Sequence, residues 1–278
     1  MMTEAYQDII ALLTDFGPRG SHYVASMKAV ILKINPNINI IDISHNVSSF
    51  SIIEAFYLLK STYTYFPELS VFIIVVDPGV GSVRNILALK TKQNYYFVGP
   101  DNGIFFNLFH KEEIEECIIV NNNNYFNEPV SPTFHGRDIM APVGAHIVNG
   151  VPLSNFGSPF DPNNFVKYPI KLEILEEKRL IHCTIQYLDS FGNGITNILI
   201  KNDIIEGTSL KFKEGDKIKI QIKNQEYEGK YSSHFADVPL NSLLFLKGSN
   251  GFLEISINQG NAAEHMDFKV GQIITIVL

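Results

Sequence analysis

Two short segments hold residues able to do acid–base chemistry at close quarters. The first is Asp77-Pro-Gly-Val-Gly-Ser-Val-Arg84. Its two glycines let backbone approach a ligand closely, and Pro78 stiffens the turn. Asp77 and Arg84 stand seven residues apart and can face each other across it. Taken alone, that is a salt-bridged loop or part of a site. No Gly-Lys-Ser/Thr follows, so it is not a phosphate-binding P-loop. The second segment, Phe134-His135-Gly-Arg-Asp138, puts His, Arg and Asp within five residues, ahead of the small-residue stretch Ala141–Ala145. Histidine manages protons near neutral pH, though a lone one is more often structural. A third segment, Asp189-Ser-Phe-Gly-Asn193 followed by Thr196-Asn197, offers a carboxylate and an amide around a glycine. It suits an ammonium or hydroxyl group, or simply turns a hairpin. Thr14-Asp-Phe-Gly17, Pro100-Asp-Asn-Gly103 and Gly248-Ser-Asn-Gly-Phe-Leu-Glu254 read equally well as turns. His45 is the next histidine candidate, while nothing selects His22, His110, His146, His182, His234 or His265.

The elements that must position these residues come in two textures. Ile9–Leu13, Ile38–Ile43 and Val71–Val76 are short apolar runs that read as buried strands. Between them, Val24, Met27, Val30, Ile31 and Ile34 share one helical face until Asn35-Pro36, and Ser51–Tyr65 carries Ile52, Phe56 and Leu59 on one stripe. This alternation predicts a mostly parallel sheet covered on both faces, with ligands bound beyond the carboxyl ends of its strands. Asp15, Asp42 and Asp77 fall at or near such ends.

From about Lys171 helical spacing disappears. Leu180–Tyr187, Leu210–Phe212, Lys217–Lys223, Leu243–Leu246, Phe252–Ile257 and Gln272–Val277 are β-rich runs. Turn signals at Gly192–Gly194, Glu214–Asp216, Asn224–Glu226 and Gly248–Gly251 separate them. The expectation is an N-terminal three-layer α/β domain over 1–165 and a smaller C-terminal β-barrel over 166–278, joined through the Pro/Asn-rich stretch Ser158–Asn164. At 278 residues the chain has the length for two domains, taking roughly 100–200 residues each.

Composition narrows the function classes. Hydrophobic residues make up 45%, enough for a core and too many for disorder. The net charge of −7 disfavours general nucleic-acid binding. No apolar run approaches the ~20 residues of a spanning helix, and the first four residues carry no basic leader signature. Cys117 and Cys183 lie in apolar runs and read as buried free thiols, which points to the reducing cytoplasm. Trp is absent, so any base stacking must use Phe or Tyr.

Taken in order, the segments resemble one family. Thr14–Gly17, Asp42-Ile-Ser-His45, Val75–Arg84, Gly99–Gly103, Thr133–Asp138, Asp189–Asn193 with Thr196-Asn197, and Gly248–Gly260 run as in the S-adenosyl-L-methionine (SAM) hydroxide adenosyltransferases. These SAM hydrolases form adenosine and are related to the SAM-dependent fluorinase and chlorinase. The resemblance covers about residue 8 to residue 278, and the Asp77–Arg84 and Phe134–Asp138 segments are its most specific parts.

The resemblance implies that SAM and water give adenosine and L-methionine in a homotrimer, with each site shared between the N-terminal domain of one subunit and the C-terminal domain of the next. SAM is then a substrate, and no cofactor or metal is called for. Matching positions make Asp77, Arg84 and His135 the water-handling triad. They place Asp15 on the ribose hydroxyls, Asp189 and Asn193 around the methionine ammonium, and Ser249 near its carboxylate. Phe235, and Phe50 opposite, match the rings on the adenine. Backbone near Ile257 would read the adenine edge, and Glu254 joins the substrate-binding set. A carboxylate suits the ribose because it only accepts hydrogen bonds. The sequence departs from the family at Ser21, near a usual Asp, and at Ser82, in place of a Thr. Gly136 stands where the fluorinase has a halide-binding Ser, although the chlorinase shares the Gly. A chlorinase-like halogenase and a non-catalytic adenosine or SAM sensor are the alternatives. SAM-dependent methyl transfer is weak, because no Gly-rich loop follows the first strand.

Overall fold

The computed structural model describes residues 8–223 and 225–278. The first four residues, read above for a leader, and Asn224 of one turn signal lie outside them. The chain divides after Pro169 into two compact units. The stretch up to Pro169 is held in the first unit: Asp101 Oδ1 accepts from the Val166 N–H at 3.0 Å, and Asn107 Nδ2 donates to the Tyr168 carbonyl at 2.8 Å.

The first unit begins β1 (Ile9–Thr14), α1 (Ser21–Ile34), β2 (Asn39–Ser44), α2 (Ile52–Thr62) and β3 (Val71–Val75), the succession expected from spacing. It continues with β4 (Ile86–Thr91), β5 (Tyr96–Pro100), α3 (Ile104–Leu108), β6 (Ile114–Val120), α4 (Ala141–Val148) and β7 (Gly157–Pro159). The seven strands form one sheet in the order β2-β1-β3-β5-β4-β6-β7. Pairings within β2-β1-β3-β5 are parallel. β4, β6 and β7 extend the sheet by antiparallel pairing. All six residues of β1 are buried, as a strand covered on both faces requires. Ile10 and Leu12 join Met27 and Ile31 of α1 and Val143 of α4 in one core. Ala11 and Leu13 face Ala55 and Leu59 of α2 and Phe105 of α3 in the other. Helices on both faces make three layers.

The second unit holds β8 (Leu172–Leu175), β9 (Leu180–Leu188), β10 (Gly194–Lys201), β11 (Ile204–Ile205), β12 (Lys217–Ile222), β13 (Gln225–Tyr231), β14 (Leu243–Lys247), β15 (Phe252–Ile257), α5 (Ala262–Met266) and β16 (Ile273–Val277). The ladder β10-β15-β14-β13-β12-β16-β9 closes through β9–β10 pairing into a seven-stranded barrel, flanked by β8 and β11. Alternate residues such as Ile181, Cys183 and Ile185, or Ile218, Ile220 and Ile222, fill its core. Cys117 and Cys183 are buried free thiols. Two local expectations are corrected. Leu210–Phe212 is not a strand, because Lys211 makes only an isolated bridge to Ile204. Gly194 and Gln225 start strands inside what read as turn signals: Gly194 pairs with Leu188 where the barrel closes, and Gln225 pairs with Ile222 across a tight hairpin. Among the described residues, no helix is long and apolar enough to cross a membrane.

Candidate active site

β3 delivers Asp77 to the carboxyl edge of the parallel strands, and the loop after it folds back on itself. The Val80 N–H reaches the Asp77 carbonyl at 3.3 Å, and the Ser82 N–H reaches the Gly79 carbonyl at 3.0 Å. At Gly81, φ is +77°, and a Cβ there would meet the Pro132 carbonyl oxygen at 2.5 Å. The Asp77–Arg84 loop therefore lies against the segment that leads into His135. His135 sits at the head of a wide π-turn, Gly136–Met140, that runs into α4. Such turns recur at functional sites. A Cβ on Gly136 would stand 2.8 Å from Val75 Cγ1, so the glycine lets this helix press onto the end of β3.

These packings bring three distant residues into one chain of contacts. Arg84 Nε lies 2.9 Å from both Asp77 carboxylate oxygens, and Arg84 Nη2 also binds Asp77 Oδ2. Arg84 Nη2 lies 3.0 Å from His135 Nδ1. A guanidinium only donates, so Nδ1 accepts and the neutral ring carries its hydrogen on Nε2. Burial, and then the Arg84 charge, hold His135 below the usual histidine range against the pull of Asp77 and Asp138.

Asp15, Phe50, Asp77 and His135 line one cavity of about 250 Å³, together with Phe16, Val80 and Phe134. Arg84 stands behind Asp77 and does not line it. Asp15 Oδ2 accepts from the Phe50 N–H at 2.8 Å, which fixes the carboxylate at the cavity wall. Phe50 is 67% exposed and has φ of +68°, a backbone state that costs an aromatic residue about 1–2 kcal/mol. Burial raises the Asp15 carboxyl above its usual value. Hydrogen bonds from the Phe50 and Asp15 N–H groups oppose that rise, and the Asp77 charge adds to it.

Asp138 fixes the approach to His135. It is fully buried and accepts from Arg137 Nε and Nη2 at 2.7 Å, and from Asn127 Nδ2 and the Ser131 N–H at 2.9 Å. Asp138→Ala strands these donors and is expected to cost about 3 kcal/mol, read by equilibrium denaturation. Gly136→Ser overpacks Val75 and is expected to cost about 1–3 kcal/mol by the same measurement.

The second unit carries a groove of about 1140 Å³ lined by Phe191, Asn193, Phe235, Leu240, Ile257 and Asn258, among others. Asp189 lies at its edge. Its Oδ1 accepts from the Phe191 and Asn193 N–H groups at 2.9 and 2.8 Å, and its Oδ2 accepts from Asn193 Nδ2 at 2.8 Å. Asp189, Ser249 and Glu254 are not among the lining residues. Ser249 belongs to the turn after β14, and a Cβ on neighbouring Gly248 would meet Glu254 Oε2 at 3.0 Å. Burial, and the charge of Asp189, raise the Glu254 carboxyl against a 2.9 Å hydrogen bond from Ser256 Oγ.

Besides Phe50, Phe235 and Ile257, both cavities have apolar lining residues that residue type alone does not mark. Phe16, Phe134 and Phe191 sit inside the quoted segments, so their signal was present but drowned by polar neighbours. Pro239 and Leu240 lie in no motif and have no sequence signal. Asn258, whose Nδ2 donates to the Val238 carbonyl at 2.8 Å, ties their loop to the end of β15.

Comparison with known proteins now bears on this geometry. Residues 10–157 match the SAM hydroxide adenosyltransferase N-terminal domain, and residues 183–275 match its C-terminal domain. A protein of Methanocaldococcus jannaschii named (R)-S-adenosyl-L-methionine hydrolase is 38% identical over 95% of this chain and 93% of its own. A Thermus thermophilus protein of the same name is 28% identical over 96% and 99%. A solved structure of an uncharacterized conserved protein from Thermotoga maritima superposes with a TM-score of 0.87 at 36% identity, covering 97% of this chain and all of that one. Fluorinases are more distant, for example 24% identical for that of Nocardia brasiliensis. Both halves match in order and across nearly the whole length, so this chain belongs to the SAM hydroxide adenosyltransferase family.

Proposed function

We infer that this chain hydrolyses SAM to adenosine and L-methionine, taking the (R) sulfonium epimer for which its curated relatives are named. The observation that carries the reading is the Asp77–Arg84–His135 array opening into the same cavity as Asp15. Asp15 Oδ1 takes the ribose hydroxyls and sets C5′ over the triad. A water held in line, roughly 3–3.5 Å from C5′, attacks it. The O–C5′ bond forms, the C5′–S bond breaks, and methionine leaves as a neutral thioether. The His135 Nε2–H group orients the attacking oxygen. Asp77, an acceptor held in place by Arg84, takes the proton. Asp15 beside Asp77, and Glu254 beside Asp189, are like-charged pairs whose repulsion a sulfonium or ammonium relieves.

Two half-sites, each open on its own, support a homotrimer in which one subunit's Asp15–His135 cavity meets a neighbour's Asn193–Phe235 groove. Adenine then lies between Phe235 and Phe50, where stacking is worth about 1–3 kcal/mol per base. Asp189 and Asn193 hold the ammonium, with Glu254 behind, and Ser249 takes the carboxylate. Two unpaired buried thiols support a cytoplasmic home. Mass spectrometry of products from each SAM epimer, with and without chloride, tests the reading. Equal adenosine and methionine without halide are expected. 5′-Chloro-5′-deoxyadenosine or S-adenosylhomocysteine as the main product would overturn it.

A further inference from the structure

His45 takes no part in the chemistry above, yet it grips the loop that presents Asp15. The parallel β1–β2 register slips between Leu12 and Leu13, which sets Ser44 opposite Leu13 and brings His45 beside Thr14. Such irregularities re-aim side chains next to active sites. His45 Nδ1 lies 3.0 Å from the fully buried Thr14 Oγ1, and the His45 carbonyl accepts from the Gly17 N–H at 2.7 Å. The two contacts straddle Asp15 and Phe16. Behind the ring, Nε2 is shielded from solvent and lies 3.1 Å from Asp42 Oδ1, in a contact too bent for a linear hydrogen bond. Asp42 Oδ2 in turn holds Lys28 Nζ at 2.6 Å.

The polarity of this chain follows from its members. With Nε2–H turned toward the Asp42 carboxylate, which only accepts, a neutral ring presents Nδ1 to Thr14 as an acceptor. Thr14 Oγ1 receives the Phe16 N–H at 3.4 Å, and in that tautomer its own hydrogen goes to Nδ1. Thr14 is thereby locked in one rotamer, with Asp15 next along the backbone.

We propose that His45 is a positioning residue for Asp15, setting the enzyme's preference for a ribose that carries its 2′- and 3′-hydroxyls. The inference rests on the reading of Asp15 as the ribose acceptor, and the test separates the two. Calorimetric titration compares adenosine with 2′,3′-dideoxyadenosine, whose affinity ratio isolates the hydroxyl contacts. The wild type is expected to favour adenosine at least about tenfold. Asp15→Ala abolishes the preference, and failure to do so overturns the ribose reading itself. His45→Ala lowers the ratio several-fold while dideoxyadenosine binds as before. His45→Asn, whose amide oxygen falls near the place of Nδ1, restores most of it. A merely structural role would weaken both ligands together, so equal losses, or an unchanged ratio in His45→Ala beside a collapsed one in Asp15→Ala, overturn the proposal. Should His45→Ala fail to fold, Asp42→Asn breaks the same chain from its half-exposed end, with the same outcomes read the same way.

Discussion

His135→Ala is expected to lower kcat by about 10²–10⁴-fold while adenosine binds within a few-fold of wild type. The loss follows from what the ring does: Nδ1 is spent on Arg84, and only Nε2–H is left for the reacting oxygen. Two further variants separate the ring's two edges. His135→Gln places an amide N–H near the Nε2 position and is expected to retain much more activity than His135→Asn, which reproduces only the Nδ1 acceptor. If both are as inactive as Ala, the ring is acting as a base and the donor role is wrong. The pH dependence follows from the same geometry. His135 is held below the usual histidine range, so the neutral, active form persists as pH falls through that range and is lost only below it. The same depressed value means that the unfolded chain takes up a proton before the folded one. His135 thus contributes stability that is fully present above the ordinary histidine pKa and disappears as pH falls through the folded value. A kcat/KM profile, which reports the free enzyme, that falls already at the ordinary histidine pKa would contradict this.

Co-assembly of two inactive variants is expected to restore activity from nothing. His135→Ala damages only the first unit's cavity, and Asp189→Ala damages only the ammonium site proposed for the second unit. If each site takes one half from each of two neighbouring subunits, random mixed trimers at equal input contain intact pairs at about a quarter of sites. Turnover near that fraction, with each parent alone inactive, supports the shared site. No recovery after confirmed co-assembly means that each subunit completes its own site.

Local signals made much of this protein legible in its sequence. The order β1-α1-β2-α2-β3 shows in runs such as Ile9–Leu13 and in the Val24–Met27–Ile31 stripe, because period and burial are properties of neighbouring residues. The Asp77–Arg84 pair was visible because one loop, shaped by its own glycines, carries both ends. The apolar members of the site were harder to see. Phe191 and Leu240 look like any surface or core residue until a groove forms around them.

By itself, then, the sequence determined the two textures, the strand-end acids and the segments that carry Asp77, Arg84 and His135. Tertiary structure alone decided how those residues face one another. The meeting of Arg84 with His135, 51 residues on, depends on Gly136 having no Cβ against Val75. The orientation of the Asp15 carboxylate depends on the backbone of Phe50, and the grip of His45 depends on a register slip between β1 and β2. The barrel's β10 begins at a glycine that reads as a turn, because ring closure supplies its hydrogen-bond partners. The physical reason is the same in each case. Periodicity and turn chemistry are written in residues a few positions apart, whereas register, close packing and the direction of a hydrogen bond are set by partners that only the folded chain brings together.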